Sequence, residues 1–142
     1  MKILVATDGS KASLNAVKYA ANLLRKLTSA TSSITLISVH DDAGLAHAKA
    51  IAGRKAVADY LHDMSDKQLK SAKKLLEDAE ITHKIEVRVG HVAKEIVGFA
   101  TTGKFDMIVL GAKGRSTLSD MLLGSVAQRV LSMAGVPVLL VR

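Results

Sequence analysis

The stretch Met107-Ile108-Val109-Leu110-Gly111-Ala112-Lys113-Gly114 joins a short apolar run to a turn with two spaced glycines. The apolar run is typical of a strand that is buried on both faces. Gly111 follows this strand directly, where a residue without a Cβ can take a positive φ at little cost. After nine intervening residues, the pair Gly124-Ser125 opens a helical pattern. The stretch therefore indicates a strand and a helix joined by a glycine-containing loop.

Short β-rich runs alternate with longer helical patterns along the rest of the chain, which predicts a parallel sheet with helices on both faces. Ile85–Val89 alternates between apolar and charged residues, as a strand with one wetter face does, so it is the candidate for a sheet edge. The other predicted strands are apolar at most positions. The five predicted strands are Ile3–Thr7, Ile34–Val39, Ile85–Val89, Met107–Leu110 and Val136–Val141.

Four helices are predicted between these strands. The first begins near the candidate cap Ser10, and the fourth begins with Ser125-Val126-Ala127-Gln128, which matches a capping box. Gly135 is expected to take a left-handed conformation at the end of the fourth helix, before Pro137. The stretch from Asp41 to Asp59 has an alanine-rich helical character that Gly44 and Gly53 interrupt, and it is interpreted as a long or mobile insert. The apolar stripes of the first three helices are Leu14, Val17, Ala21 and Leu24; Leu69, Ala72, Leu76 and Ala79; and Val92, Ile96 and Phe99.

Length and composition fit one α/β domain over residues 1–142, since 49% of the residues are apolar. The chain has no cysteine, which excludes disulfides and thiolate metal sites. The apolar opening reaches Thr7-Asp8 too soon for a signal peptide or a membrane span, so we expect a cytoplasmic protein without a membrane partner.

The net charge of +7 raises the question of a nucleic-acid partner. The aromatic residues are few and scattered, so they cannot form a stacking platform for single strands. The densest basic run has the helical spacing of a solvated face. A nucleic-acid partner is therefore not expected. The aromatic residues are Tyr19, Tyr60, Phe99 and Phe105, and the basic run is Lys67, Lys70, Lys73 and Lys74.

Ligands of open parallel sheets sit beyond the carboxyl ends of the strands, where the strand order reverses. Within the loop that follows Met107–Leu110, Gly114 allows backbone amides to approach a ligand closely. The helix that begins at Gly124-Ser125 offers unpaired amides and the positive end of its dipole to an anion. Lys113 and Arg115 add positive charge. These features predict a phosphate site, although loop glycines without a ligand would show the same spacing.

The spacing Gly-x2-Gly-x9-Gly-Ser over residues 111–125 resembles the nucleotide-binding branch of the universal stress protein family. The opening segment Met1–Ser10 and the closing segment Val136–Val141 resemble the first and last strands of that family. The resemblance implies a Rossmann-like sheet with strand order 3-2-1-4-5 and a role in the stress response. It also implies ATP, ADP or AMP as ligand, with a divalent ion such as Mg²⁺ carried by the phosphates, and a homodimer through Val136–Val141.

The resemblance also implies roles for individual residues. Asp8 and the backbone of Val39 would hold the nucleoside, and Gly111 would lie on the ribose side. Phosphates would be held by Gly114 and the start of the last helix. Position 6 is Ala where some members have Pro, and position 91 is His where many have Asp. The full set of predicted binding residues is Ala6, Thr7, Asp8, Val39, Leu110, Gly111, Lys113, Gly114, Arg115, Gly124, Ser125 and Val126.

Other readings of the same residues stay open at this point. A nucleotide hydrolase or an adenylating enzyme of related fold is one alternative, but no catalytic residue can be assigned, and a ligand-free interaction module is another. Gly98 to Lys104 matches part of a P-loop, yet it follows a helix and lies at the wrong end of the sheet. A metal site is not expected in the polar group His40, Asp41, Asp42 and His47, since no metal-ligand spacing joins these residues.

Overall fold

The computed structural model describes residues 1–27, 31–114 and 122–142. Strands and helices alternate along the chain, except that two helices follow each other between the second and third strands. The elements are β1 (Lys2–Ala6), α1 (Lys11–Lys26), β2 (Ser33–His40), α2 (Asp42–Ala52), α3 (Arg54–Asp78), β3 (His83–Val89), α4 (Val92–Thr102), β4 (Met107–Gly111), α5 (Ser125–Met133) and β5 (Val138–Val141).

The strands form one parallel sheet with the order β3-β2-β1-β4-β5. This order confirms the predicted fold and places β3 at an edge, as its alternating sequence indicated. The order reverses between β1 and β4, where Ala6 lies beside Leu110. The carboxyl ends of these two strands therefore diverge into loops on opposite sides of one crevice.

Two apolar clusters pack against the two faces of the sheet. Successive residues of β1 alternate between them, because side chains of a strand point to opposite faces in turn. Ile3 and Val5 pack with α1 and α3, whereas Leu4 and Ala6 pack with α4 and α5. Burial on both faces explains why the central strands are apolar at nearly every position.

Helix α1 begins where the sequence predicts. The Ser10 side chain accepts a hydrogen bond from the Ser13 amide, which satisfies one of the unpaired amides of the first turn. Val17, Ala21 and Leu24 of the predicted stripe are buried. This capped end fixes the start of α1 beside the loop that follows β1.

The helical character predicted for the stretch from Asp41 to Asp59 is confirmed, since it forms α2 and the start of α3, with a break at Gly53 but none at Gly44. Asp41 caps α2, since its Oδ1 accepts a hydrogen bond from the Ala43 amide at 3.0 Å. Gly53 has a φ of 86°, which ends α2 and starts α3 in a new direction. None of the residues of α2 is buried. The helix therefore has no apolar stripe for a pattern to detect.

Two predictions about α5 were wrong: one concerned the residue that caps its start, and the other the conformation of Gly135. Gly124, not Ser125, is the N-cap, so Ser125 is already helical and the capping box does not form. The Gln128 side chain reaches back to donate to the Leu123 carbonyl at 3.1 Å instead. Gly135 does not take a positive φ, because the helix ends in the extended conformation of Ala134.

No helix in the described parts of the chain has the length and apolar character that crossing a bilayer requires.

Candidate functional site

A cavity of about 450 Å³ opens beyond the carboxyl ends of β1, β2 and β4. It occupies the point where the strand order reverses, and its volume falls in the usual range for small-molecule sites, roughly 300–1,000 Å³. Its lining consists of Ala6, Thr7, Asp8, Ser13, Ile37, Val39, Asp41, Val92, Ile96, Leu110, Gly111, Lys113, Gly114, Gly124, Ser125 and Val126. Every predicted binding residue that the structure describes lines this cavity. Arg115 lies outside the described residues.

The acidic turn after β1 is held by a chain of hydrogen bonds. The Asp8 Oδ1 accepts the Ser10 amide at 2.9 Å, and Gly9 between them has a φ of 78°. The Ser13 hydroxyl donates to the Ser10 carbonyl at 2.9 Å, so the Thr7 hydroxyl must donate to Ser13 Oγ at 3.1 Å. These contacts fix the carboxylate of Asp8 at the wall of the cavity.

Gly111 is required for close packing and not for a positive φ, which corrects the reason given from the sequence. Its φ lies outside the left-handed region. A Cβ at this position would lie 2.8 Å from the Ala12 backbone carbon and 2.9 Å from the Ala12 Cβ. The absence of a side chain lets the end of β4 pass directly against the first turn of α1.

The two glycine segments of the β4–α5 loop meet across the cavity. The Gly124 amide donates to the Ala112 carbonyl at 2.8 Å. A Cβ on Gly124 would lie 3.2 Å from the Gly114 nitrogen, and a Cβ on Gly114 would lie 3.4 Å from Asp8 Oδ2. The acidic turn and both glycines therefore surround one small space at the start of α5.

The start of α5 lies at the same space. Gly124 has no side chain to cap the helix, and the first intrahelical bond is donated by the Gln128 amide to the Gly124 carbonyl. The amides of Ser125, Val126 and Ala127 thus have no intrahelical acceptor, and the helix dipole adds a partial positive charge there. This arrangement suits an anionic group.

The sequence did not single out five residues that also line the cavity, namely Ser13, Ile37, Asp41, Val92 and Ile96. The apolar members follow the same pattern as core residues, so no sequence signal distinguishes them. Asp41 directly follows β2, and the rule about strand ends could have placed it here.

The polar group after β2 does not gather into one site. Among the described residues, no three His, Asp or Glu side chains come close enough to hold a metal ion. The buried His40 Nε2 lies 2.6 Å from the Ser65 Oγ, whose own proton goes to the Leu61 carbonyl at 2.7 Å. His40 therefore donates to Ser65, which ties the end of β2 to α3.

The segment that matches part of a P-loop has the structure expected of a helix end. Gly98 lies within α4, Gly103 is the C-cap, and Lys104 has a φ of 51°. The segment precedes β4 and so lies at the amino end of the sheet, away from the cavity.

Comparison with known proteins decides the family. The model of the universal stress protein family matches residues 1–142. The chain belongs to this family. Universal stress protein MJ0531 of Methanocaldococcus jannaschii is 36% identical over 141 residues, which is 99% of this chain and 81% of that protein. Universal stress protein Rv1636 of Mycobacterium tuberculosis is 30% identical over 98% of this chain and 94% of its own length.

Solved structures of universal stress proteins share the fold. The structure of MJ0577 superposes with a TM-score of 0.84 at 29% identity, covering 99% of this chain and 94% of the other. A universal stress protein solved in complex with cAMP has a TM-score of 0.73 at 26% identity, covering 100% of this chain and 97% of its own.

Proposed function

We propose that this universal stress protein binds an adenine nucleotide, ATP, ADP or AMP, and that a partner in the stress response reads its occupancy. The observation that carries the proposal is the cavity at the sheet's reversal point, which combines apolar walls with glycine amides and a helix N-terminus. The related structure in complex with cAMP supports an adenine nucleotide as the class of ligand.

The nucleoside would occupy the part of the cavity between the ends of β1, β2 and β4. Ile37, Val92 and Leu110, which line the cavity, would form apolar walls for the base, and the backbone of Val39 would bond its edge. Asp8, held by the Ser10 amide, would accept hydrogen bonds from the ribose, with Ala6, Thr7 and Gly111 beside it. An apolar slot with a few fixed polar groups is the usual form of such a site.

The phosphates would lie at the loop between β4 and α5. The amides of Gly114, Ser125 and Val126 would donate to phosphate oxygens, and Gly124 would allow their close approach. Lys113, and Arg115 by its place in the sequence, would add positive charge. A divalent ion such as Mg²⁺ would arrive with the phosphates and offset their charge.

Calorimetric titration with ATP and Mg²⁺ tests the proposal. We expect saturable binding of one nucleotide per chain. Because the ligand binds the folded state, ATP at 100 times its Kd should raise the free energy of unfolding by about 2.7 kcal/mol. If ATP, ADP and AMP all gave neither heat nor thermal stabilisation, the proposal would be wrong.

The Gly114→Ala variant localises the binding. Its methyl group would stand in ordinary contact with Asp8 Oδ2, so the fold tolerates it, but it would obstruct the amide that the phosphate needs. We expect a loss of affinity on the order of tenfold, the worth of one hydrogen bond to a charged group. Gly98→Ala is the matched control, since Gly98 lies in α4 with open space around it, and its affinity should not change.

We also propose a homodimer through the C-terminal segment Val136–Val141. The strand β5 forms the second edge of the sheet, and its four residues are only partly buried. An unpaired edge of valine and leucine is a ready partner for another strand. The single-domain organisation over residues 1–142, the cytoplasmic location and the lack of a nucleic-acid partner stay predictions from the sequence.

A further inference from the structure

The apolar face of the edge strand β3 is unusually open. Ile85, Val87 and Val89 are 37%, 45% and 43% exposed. The charged residues between them point to the other face, where Arg88 pairs with Glu86 at 2.9 Å and lies 4.6 Å from the Phe99 ring centre. The usual arrangement of a half-covered strand is thus reversed, because the apolar side is the one in contact with water.

This apolar face continues into a groove. A cavity of about 430 Å³ separates it from α3, whose Leu61, Ser65 and Leu69 form the opposite wall. The groove adjoins the buried pair His40–Ser65 and lies on the far side of β2 from the nucleotide cavity. It is therefore a second surface, independent of the proposed nucleotide site.

The backbone of β3 presents its free groups in a defined order. The Thr82 carbonyl accepts from Ile34 and the Gly90 amide donates to His40, with an unbroken register between them. Residues of even number therefore turn their amides and carbonyls toward β2. Those of Ile85, Val87 and Val89 point away from the sheet, from the same residues whose side chains are exposed.

We propose that β3 pairs with the β3 strand of a second copy of this chain, antiparallel and about a two-fold axis at Val87. In that register Val87 faces Val87 of the other copy, and Ile85 faces Val89, so the apolar side chains of both copies meet on one face. Glu86 faces Arg88 of the other copy on the opposite face. Each copy contributes the same strand to this contact, which makes it isologous. Together with the proposed contact through β5 at the opposite edge, it would extend the assembly beyond a dimer.

The charge pattern favours a second copy over an unrelated peptide. The sequence Ile85-Glu86-Val87-Arg88-Val89 reads apolar, acidic, apolar, basic, apolar from one end and is complementary to itself when reversed. Because Val87 forms the hydrogen-bonded pair, Glu86 and Arg88 form non-hydrogen-bonded pairs, in which side chains approach most closely. Two ion pairs between the copies would result. Within one chain Arg88 already pairs with Glu86 at 2.9 Å and with Glu95 at 3.3 Å, so these charges lie on the face where the second copy's charges would meet them.

Single-cysteine variants test this register directly, since the chain has no native cysteine. In the proposed pair the two Val87 Cα atoms would be about 5.5 Å apart, within the range of a disulfide. Val87→Cys should therefore form a covalent dimer with oxidised glutathione. Ile85→Cys is the matched control, because its copy lies roughly 13 Å away along the strand. A mixture of Ile85→Cys and Val89→Cys chains should cross-link, because Ile85 faces Val89 of the other copy in this register.

Charge variants in the Val87→Cys background test the recognition. Glu86→Arg alone places Arg opposite Arg88, and Arg88→Glu alone places Glu opposite Glu86, so each should lower cross-linking on the order of tenfold. Mixing the two variants restores opposite charges at both positions and should restore the cross-link. Circular dichroism of each variant confirms that the fold is intact before the comparison.

Other outcomes would overturn the proposal. Equal cross-linking of Val87→Cys and Ile85→Cys would mean that the disulfides form by random collision. If mixing the two charge variants did not restore the cross-link, the proposed pairing of Glu86 with Arg88 of the other copy would be wrong. If Val87→Cys chains cross-linked to an added cysteine-containing peptide but never to each other, the groove would belong to a different partner. A dimer through β5 cannot mimic the result, because β5 lies at the opposite edge of the sheet from residue 87.

Discussion

Glycine serves different purposes at different positions of this site. Gly9 takes a positive φ in the acidic turn, whereas Gly111 does not. Gly111 is instead enclosed by the Ala12 backbone and side chain, and Gly114 lies open toward Asp8. A sequence shows that a glycine is present but not whether a dihedral angle, a neighbour or a ligand requires it. The sequence analysis explained Gly111 by a positive φ, and that explanation was wrong.

The Gly111→Ala substitution should destabilise the protein through packing alone. The new methyl group would lie less than 3 Å from Ala12 atoms of the neighbouring helix, so either β4 or the first turn of α1 must shift. Overpacking of this kind lowers the free energy of unfolding by about 1–3 kcal/mol. Urea denaturation measures this loss in the free energy of unfolding. Gly98→Ala, which meets no atom within 4 Å, should be neutral or slightly stabilising, and an equal loss in both variants would contradict this explanation.

At the scale of elements, strands were easier to predict than helix ends. Four strands were predicted from apolar runs and β3 from its alternating pattern, while the strand order came from the family resemblance; the structure confirms the five strands and their order. The bounds of α2 were harder to define than those of the other helices, because it buries no residue and its sequence therefore lacks a buried apolar stripe. The cap of α5 was misplaced by one residue, since Gly124 and Ser125 are both acceptable caps and only the backbone distinguishes them.

Helix α4 begins without a side-chain cap, which offers a direct test. His91 is the N-cap in an extended conformation and makes no capping hydrogen bond. In His91→Asp, the carboxylate could accept an amide of the first turn and would also interact favourably with the helix dipole. The free energy of unfolding should rise by about 1 kcal/mol and the Tm by roughly 2–4 °C. His91→Ala is the control, and a gain of the same size there would rule out capping.

At the scale of the whole molecule, the fold brings the ends of several strands together around the candidate site. Residues from 6 to 126 line one cavity because parallel strands bring their carboxyl ends to the same edge. The glycines and Asp8 were identified from their positions in the sequence. Ile37, Val92 and Ile96 were not, because a residue that lines an apolar cavity and a residue that fills a core have the same pattern.

The two edges of the sheet lie at opposite ends of the molecule, and the proposed dimer through β5 can be tested separately from β3. The Pro137 and Val141 carbonyls accept amides of the β4 segment, so the amide of Leu140 points outward. Leu140→Pro removes that donor and leaves the bonds to β4 in place. In the Glu86→Arg background, where β3 pairing is weakened, sedimentation equilibrium at micromolar concentration should show a monomer.

The matched control for that experiment is Leu140→Ala, which removes most of the same side chain but keeps the amide. We expect it to remain largely dimeric, because an added strand is held mainly by backbone hydrogen bonds and only partly by the half-buried Leu140 side chain. If the Glu86→Arg protein with its native Leu140 were already a monomer, the proposed dimer through β5 would be wrong. Equal dissociation of both variants would show instead that side-chain packing holds the two copies together, with the strand edges unpaired.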